Sequence, residues 1–314
     1  MQDVHSTKLS IVIPIYNEAG NVAPLHKELL QILRTLGHSF EIIFIDDGSR
    51  DTTSKELSLL HPARVISFTR NFGKSQALLA GFEAAQGEII ITMDGDLQDD
   101  PHEIPNFLTE LEKGYDLVCG WKRSRQDSST KIIASKIANW ITRVTMGLSI
   151  HDMNCCFKAY RSHVAKELHL HGDLHRYIPV LVHSNGYRIT EIPVHHRLRI
   201  HGISKYGFGR FFNSSFDFLT LLFTRRFADR PLHFFGPIGI LSTLTGMSIL
   251  GYLAWIKIFD HALIGGRPLL ILGTLLFLVG IQFLSLGLLG DLFIKQTSRI
   301  QKTFVIKNTR NQES

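Results

Sequence analysis

Cysteine is scarce in this chain: Cys119, Cys155 and Cys156 are the only ones in 314 residues. An odd count with two of them adjacent makes a poor disulfide framework, so a reducing compartment is expected. No signal peptide is expected either, because the first apolar run, Leu9 to Tyr16, is too short and contains Pro14. Glycine-rich phosphate loops are missing as well. Gly73-Lys74-Ser75 ends like a P-loop, but Phe68 stands where that motif needs its first glycine. No G-x-G-x-x-G lies between a strand and a helix, which excludes a dinucleotide fold with its own phosphate loop. The histidines, notably His169, His171 and His175 or His195 and His196, follow no zinc spacing and read as surface or acceptor-loop residues. The net charge of +6 does not form a basic stripe. It gathers at Lys122 to Arg125, Arg197 to Lys205, Arg225 to Arg230 and Lys295 to Arg310, among apolar residues. That distribution excludes a nucleic-acid face and fits anionic ligands and a membrane surface.

What the sequence does contain is a regular alternation of strands and helices. Leu9 to Tyr16 reads as a first strand that should end near Pro14, since proline sits poorly inside a ladder. Asn21 to Leu36 has apolar residues at helical spacing and stops at Gly37. A buried strand, Phe40 to Ile45, a helix, Asp51 to Leu60, and a strand, Arg64 to Phe68, follow. A helix from Ser75 to Ala85, one from His102 to Lys113, and strands Asp116 to Trp121 and Arg188 to Val194 continue the pattern. The expected fold class is α/β, a mostly parallel sheet with helices packed on it.

The chain is organised around Ile89-Ile90-Ile91-Thr92-Met93-Asp94-Gly95-Asp96-Leu97-Gln98-Asp99-Asp100-Pro101. A β-branched run reads as a buried strand, and it ends abruptly in carboxylates. Gly95 permits a sharp turn, and Pro101 favours the start of a helix. Ligands of open α/β sheets lie beyond the carboxyl ends of the strands, where Asp94 and Asp96 would stand. Two such carboxylates repel unless a cation lies between them, and a hard divalent ion takes oxygen ligands. A solvated acidic loop capping the next helix is the other reading of the D-x-D pattern alone.

Pro14-Ile15-Tyr16-Asn17-Glu18, Asp46-Asp47-Gly48-Ser49, Arg70-Asn71-Phe72-Gly73 and Asp94-Gly95-Asp96-Leu97-Gln98 occur in the order seen in family-2 glycosyltransferases. Asp152-Met153-Asn154-Cys155-Cys156-Phe157-Lys158 and Arg199-Ile200-His201-Gly202-Ile203-Ser204-Lys205-Tyr206 extend the likeness over roughly residues 8 to 295. The chain resembles the polyprenyl-phosphate branch, that of dolichol-phosphate mannose synthases and undecaprenyl-phosphate glycosyltransferases. The resemblance implies a Rossmann-like GT-A fold with helices on both faces and transfer of one sugar, with inversion, from a nucleotide sugar such as UDP-glucose or GDP-mannose. It places Pro14, Tyr16, Asn17, Glu18, Asp46, Asp47, Arg70, Lys74, Asp94 and Gly95 at the nucleotide sugar. Asp94, Asp96 and Gln98 would hold Mg²⁺ or Mn²⁺, and Arg199 and Lys205 would stabilise the departing diphosphate. Asp152 would be a base or an acceptor-site residue, although a turn cap is the structural alternative. Cys156 stands where relatives commonly have glycine, so its side chain would narrow the acceptor pocket. The partners implied are a nucleotide-sugar donor, a polyprenyl-phosphate acceptor and membrane lipid, with room for a homo-oligomer. A processive polysaccharide synthase would carry Q-x-x-R-W and more spans, neither of which is present; a catalytically silent scaffold would not need Asp94 and Asp96.

The last third changes character. Phe208 to Phe227 reads as an amphipathic helix on the membrane or as a core helix, within a juxtamembrane segment set at 207–231. Residues 233–257 and 268–290 are each long and apolar enough to span a bilayer. The expected plan is a glycosyltransferase domain, 1–206, a two-helix transmembrane hairpin within 232–294, and a basic tail, 295–314. Arginine and lysine flank the pair, against Lys257, Arg267 and Asp260 in the connection, which puts the catalytic domain and both termini in the cytoplasm.

Overall fold

The computed structural model describes residues 8–123, 148, 150–197, 230–261, 263–265 and 268–297. They fall into two compact units, 8–197 and 230–297.

The first unit is a seven-stranded sheet. In chain order its elements are β1 (Leu9–Ile15), α1 (Val22–Thr35), β2 (Phe40–Asp46), α2 (Thr53–Leu57), β3 (Arg64–Ser67), α3 (Lys74–Ala84), β4 (Ile89–Thr92), α4 (Ile104–Glu112), β5 (Leu117–Trp121), β6 (Lys158–Arg161), α5 (Ser162–Lys166), α6 (Ile178–Ser184) and β7 (Ile189–Pro193). The strand order is β3-β2-β1-β4-β6-β5-β7. All pairings are parallel except those of β6, which runs antiparallel to both β4 and β5.

Period-two burial builds the two faces. Ile11, Ile13 and Ile15 of β1 join Ile42 and Phe44 of β2 and Ile91 of β4 under Leu25, Leu29 and Leu33 of α1 and Phe107 and Leu111 of α4. On the opposite face α3 lies so close that a Cβ on its Gly81 would sit 2.2 Å from Val12 Cγ1. Phe82 of α3 packs edge-on against Tyr160 of β6 there, at 5.3 Å between ring centroids. Each fully buried Leu, Ile or Phe contributes about 1.5–3 kcal/mol, so the sheet is the rigid part of the unit.

Strand β1 runs one residue past Pro14, to Ile15. In a parallel ladder a residue bonds to one neighbour only, and Ile15 accepts from the Asp47 N–H just past β2, which turns Pro14 toward β4. The β4 pairing has already ended there, at Val12 opposite Thr92, so the missing N–H costs nothing. Helix α2 is shorter than its apolar pattern, and β6, α5 and α6 carry no sequence signal strong enough to announce them.

The second unit is an antiparallel pair, α7 (Leu232–Phe259) and α8 (Pro268–Thr297). Both helices are long and apolar enough to cross a membrane. Their outer faces expose Leu241, Trp255, Ile271 and Phe293. The seam between them is glycine: a Cβ on Gly246 would lie 2.5 Å from the Phe277 nitrogen, and one on Gly280 2.2 Å from Thr243 Oγ1. Apolar outside with small residues inside is how helices associate in lipid, where packing rather than water exclusion drives contact. Helix α8 runs to Thr297, beyond the apolar run 268–290 and into the segment expected to be tail. The segment 207–229 and the tail from residue 298 lie outside the described residues.

Candidate active site

The topology gathers the polar motifs on one edge. Strands β1, β2, β3 and β4 are parallel, so Tyr16–Glu18, Asp46–Ser49, Arg70–Lys74 and Asp94–Gln98 all emerge from carboxyl ends on the same side. Antiparallel β6 begins where β4 finishes, with Lys158 opposite Thr92, and so delivers Asp152–Lys158 to that edge. Lys122 arrives at the end of β5.

The loop after β4 is tightly built. A Cβ on Gly95 would lie 2.2 Å from Ile15 Cδ1, and buried Leu97 takes φ +63°, a costly conformation for a branched side chain. Asp96 Oδ1 accepts the Gln98 N–H at 3.2 Å, closing the turn. Asp99, 1% exposed, accepts the Asp94 N–H through Oδ2 at 3.0 Å and pairs with Lys122 Nζ through Oδ1, also at 3.0 Å. Lys74, the first residue of α3, reaches the Asp94 carboxylate at 2.5 Å. Burial alone would raise the Asp94 carboxyl, but Lys74 and Lys122 hold it well below the usual carboxylate range. Burial would likewise lower Lys122, and Asp99 with Asp94 raises it instead. The edge therefore carries a carboxylate fixed in its ionised form between two cations. Asp94 and Asp96 offer oxygen donors only, the set a hard divalent cation takes.

Gln98 also binds the exit of β7: its carbonyl accepts the Arg197 N–H at 2.9 Å, and Asp99 and His196 form a β-bridge. Arg197 closes this junction by donating to both Glu28 oxygens, at 2.9 and 2.7 Å, and to Asp100 at 2.6 Å. Glu28, Asp100 and His102 are close enough to hold a metal, but the guanidinium already supplies the positive charge there, so they form an ion-pair anchor. Arg199 and Lys205, just beyond this anchor, lie outside the described residues.

The other expected residues are tied into the loops around this edge. Asp47 spends both carboxylate oxygens on backbone, accepting from Phe72 N at 2.7 Å and Gly73 N at 2.9 Å. Burial still raises its pKa, against those two bonds. Its role in the fold is to hold the Arg70–Gly73 loop. Asp46 Oδ1 accepts from Ser49 N at 2.9 Å. Asn17, at φ +50°, accepts from Arg50 N, and Glu18 accepts from the Asn21 amide at 2.8 Å. Tyr16 is half-buried beside them, and the Arg70 guanidinium lies over the Phe72 ring at 4.3 Å. Asp152, 2% exposed, receives Asn154 N at 3.2 Å and Lys122 N at 3.4 Å, so it caps its own turn. Lys122 and Asp99 join this edge without a sequence signal of their own, because a lysine beside an arginine and a third aspartate in an acidic run look like solvated charge.

Gly48 joins two of these loops. It sits at φ +69°, and a Cβ there would lie 2.4 Å from the Arg70 carbonyl carbon. Both the left-handed backbone and the contact with another backbone oppose a side chain. Gly48→Ala is expected to lose about 2 kcal/mol of stability. A thermal unfolding midpoint equal to wild type would show that the two loops are not locked together.

The model of the family described as Glycosyl transferase family 2 matches residues 10–168, about half of the chain. A dodecaprenyl-phosphate galacturonate synthase from Rhizobium johnstonii is 38% identical over 309 residues, 93% of this chain and 89% of the relative. The chain belongs to glycosyl transferase family 2. Solved structures of the glucosyl-3-phosphoglycerate synthase of Mycobacterium tuberculosis share the fold. The complex with Mn²⁺, uridine diphosphate and phosphoglyceric acid gives a TM-score of 0.55 at 18% identity, over 70% of this chain and 78% of that one. The complex with Mg²⁺ and uridine diphosphate gives a TM-score of 0.55 at 18% identity, over 70% and 79%. For this family-2 glycosyltransferase, the expected mostly parallel sheet with helices on its faces is observed.

Proposed function

We propose that this enzyme transfers a single sugar from a nucleoside-diphosphate sugar to a polyprenyl phosphate. The observation that carries the reading is the Asp94 carboxylate, kept ionised between Lys74 and Lys122 at the edge where the family motifs converge. Its strong resemblance to a dodecaprenyl-phosphate sugar synthase supports the lipid acceptor. That relative's name also places a carboxylated sugar among the donors to be tested.

In this reading Asp94 and Asp96, with Gln98, hold Mg²⁺ or Mn²⁺, which when bound neutralises the donor diphosphate. Asp46, Tyr16 and Glu18 line the nucleoside side, and Asp47 acts by holding the Arg70–Gly73 loop against it. An acceptor phosphate oxygen forms the new bond to the anomeric carbon as the bond to the diphosphate breaks, inverting the centre. A phosphate monoester is mostly dianionic at neutral pH, so no base is required to generate the nucleophile. Asp152 in its capped turn fixes the start of the Asp152–Lys158 segment. Helices α7 and α8 anchor the enzyme in the membrane, with the catalytic unit on the cytoplasmic side. The functional test is a panel of nucleotide sugars incubated with membranes holding the protein, reading radiolabel moved to lipid; no transfer from any donor would overturn the reading.

Arg199 and Lys205 follow the Arg197 anchor and are proposed to close on the diphosphate. Lys205→Ala should then lower turnover on the order of a hundredfold in neutral detergent with a short acceptor. If the segment only touches anionic headgroups, the variant will be normal in that assay and slow only on anionic membranes.

A further inference from the structure

Hydroxyl groups in the α7–α8 hairpin look after themselves. Thr243, Thr245 and Ser248 of α7 and Thr274 of α8 each donate to the carbonyl four residues back, at between 2.7 and 2.9 Å. Gln282 and Ser285 of α8 make no such bond. Both are exposed on the outer surface, and among the described residues neither has a hydrogen-bond partner.

Depth makes this costly. The midpoint of the apolar run 268–290 is residue 279, so Gln282 stands about 5 Å from the middle of the membrane at about 1.5 Å per residue. The hydrocarbon boundary is then about 10 Å further out, beyond the reach of a glutamine side chain. Water does not serve the amide there, and lipid tails offer neither donor nor acceptor.

The position on the helix is equally specific. Leu275, Leu278, Gln282, Ser285, Leu289 and Leu292 follow one another at alternating spacings of three and four residues, the heptad pattern of a helix that packs against a helix. All six are exposed, the four leucines by more than half. Gly273, Gly280 and Gly287 face α7, and at about 100° per residue Gln282 stands about 200° round from Gly280. Helix α8 therefore has a glycine face used by the hairpin and, opposite it, a heptad face that the hairpin leaves open.

We propose that a second copy of the chain docks on this heptad face, making the protein a dimer in the membrane with Gln282 bonded to the partner's Gln282. Two copies inserted with the same topology have parallel α8 helices, and a two-fold axis along the membrane normal brings identical residues together at equal depth. A carboxamide both donates and accepts, so two of them satisfy each other. A second copy thus carries the matching group at the matching depth by symmetry. One amide in an otherwise leucine-rich heptad stripe also fixes register and partner number. The proposal rests on the membrane-spanning reading of α7 and α8 and is independent of the sugar-transfer reading.

The test uses the full-length protein in membranes. Leu289→Cys on the stripe and Leu288→Cys, exposed on a neighbouring face, are oxidised with copper phenanthroline; the native cysteines are buried, so wild type is the background. Leu289→Cys should give a disulfide-linked dimer on a denaturing gel, and Leu288→Cys and wild type should not. Energy transfer between labelled copies in lipid vesicles, at varied protein-to-lipid ratio, gives the association constant. Gln282→Leu should weaken association about tenfold, and Gln282→Asn should restore part of the loss. Leucine is at home in lipid, so Gln282→Leu removes the amide and leaves the hairpin intact. Equal cross-linking at 288 and 289, no association in lipid, or association indifferent to Gln282→Leu overturns the proposal. So does cross-linking of Leu289→Cys to a different membrane protein with no dimer formed. Alkaline carbonate extraction tests the spans separately. Wild type released from the membrane pellet sinks the membrane reading and the proposal with it, whereas retained protein that stays monomeric sinks only the dimer.

Discussion

Asp96→Asn is expected to reduce sugar transfer about a thousandfold while leaving the fold intact. The asparagine keeps an oxygen where Asp96 Oδ1 accepts the Gln98 N–H, so the turn is not undone. What disappears is one of the two negative charges of the Asp94-Gly95-Asp96 pair at the end of β4. In the proposed function Asp96 would join Asp94, which faces Lys74, in holding a divalent cation. Thermal unfolding should stay within a few degrees of wild type, since the substitution is isosteric and keeps the oxygen that closes the turn. Chelator should suppress the wild type to the same degree, and added Mg²⁺ or Mn²⁺ should restore it. Full turnover of Asp96→Asn in excess chelator would defeat the metal assignment.

The second large effect belongs to Lys122. Its ammonium, 12% exposed, pairs with an Asp99 side chain that is fully buried. Removing one member of such a pair strands the other charge, which costs about 3–5 kcal/mol. Lys122→Ala should therefore unfold at a markedly lower temperature. It should also lose activity, because Asp99 holds the Asp94 N–H and Lys122 helps keep Asp94 ionised. The double variant Lys122→Met/Asp99→Asn should recover much of the stability, since no buried charge remains unpaired. Recovery of stability without recovery of turnover would separate the electrostatic role at Asp94 from the structural one. If Lys122→Ala melts like wild type, Asp99 is not stranded and the pair is not what fixes the loop.

Much of this was legible in one dimension, for a physical reason. The strands β1, β2 and β4 are buried on both faces, so they appear as continuous apolar runs, and the sharp change to carboxylate at Asp46 and Asp94 marks their ends. Helix α1 shows itself by the spacing of Val22, Leu25, Leu29 and Leu33. The spans of α7 and α8 follow from length and hydropathy alone. A parallel order of such strands already puts the motif residues on one edge.

The tertiary structure alone decided how those residues are used. Strand β6 is four residues, Lys-Ala-Tyr-Arg, with no apolar run to announce it. Its antiparallel insertion between β4 and β5 nevertheless brings Asp152–Lys158 to the site and buries Lys158. Asp47 and Asp94 look alike in sequence, yet one is consumed by backbone N–H groups and the other is held ionised by lysines from α3 and the end of β5. Local pattern reports which side chains leave water. Which charge meets which is set by contacts between segments as distant as Lys74 and Asp94 or Arg197 and Glu28, and only the folded chain brings those together.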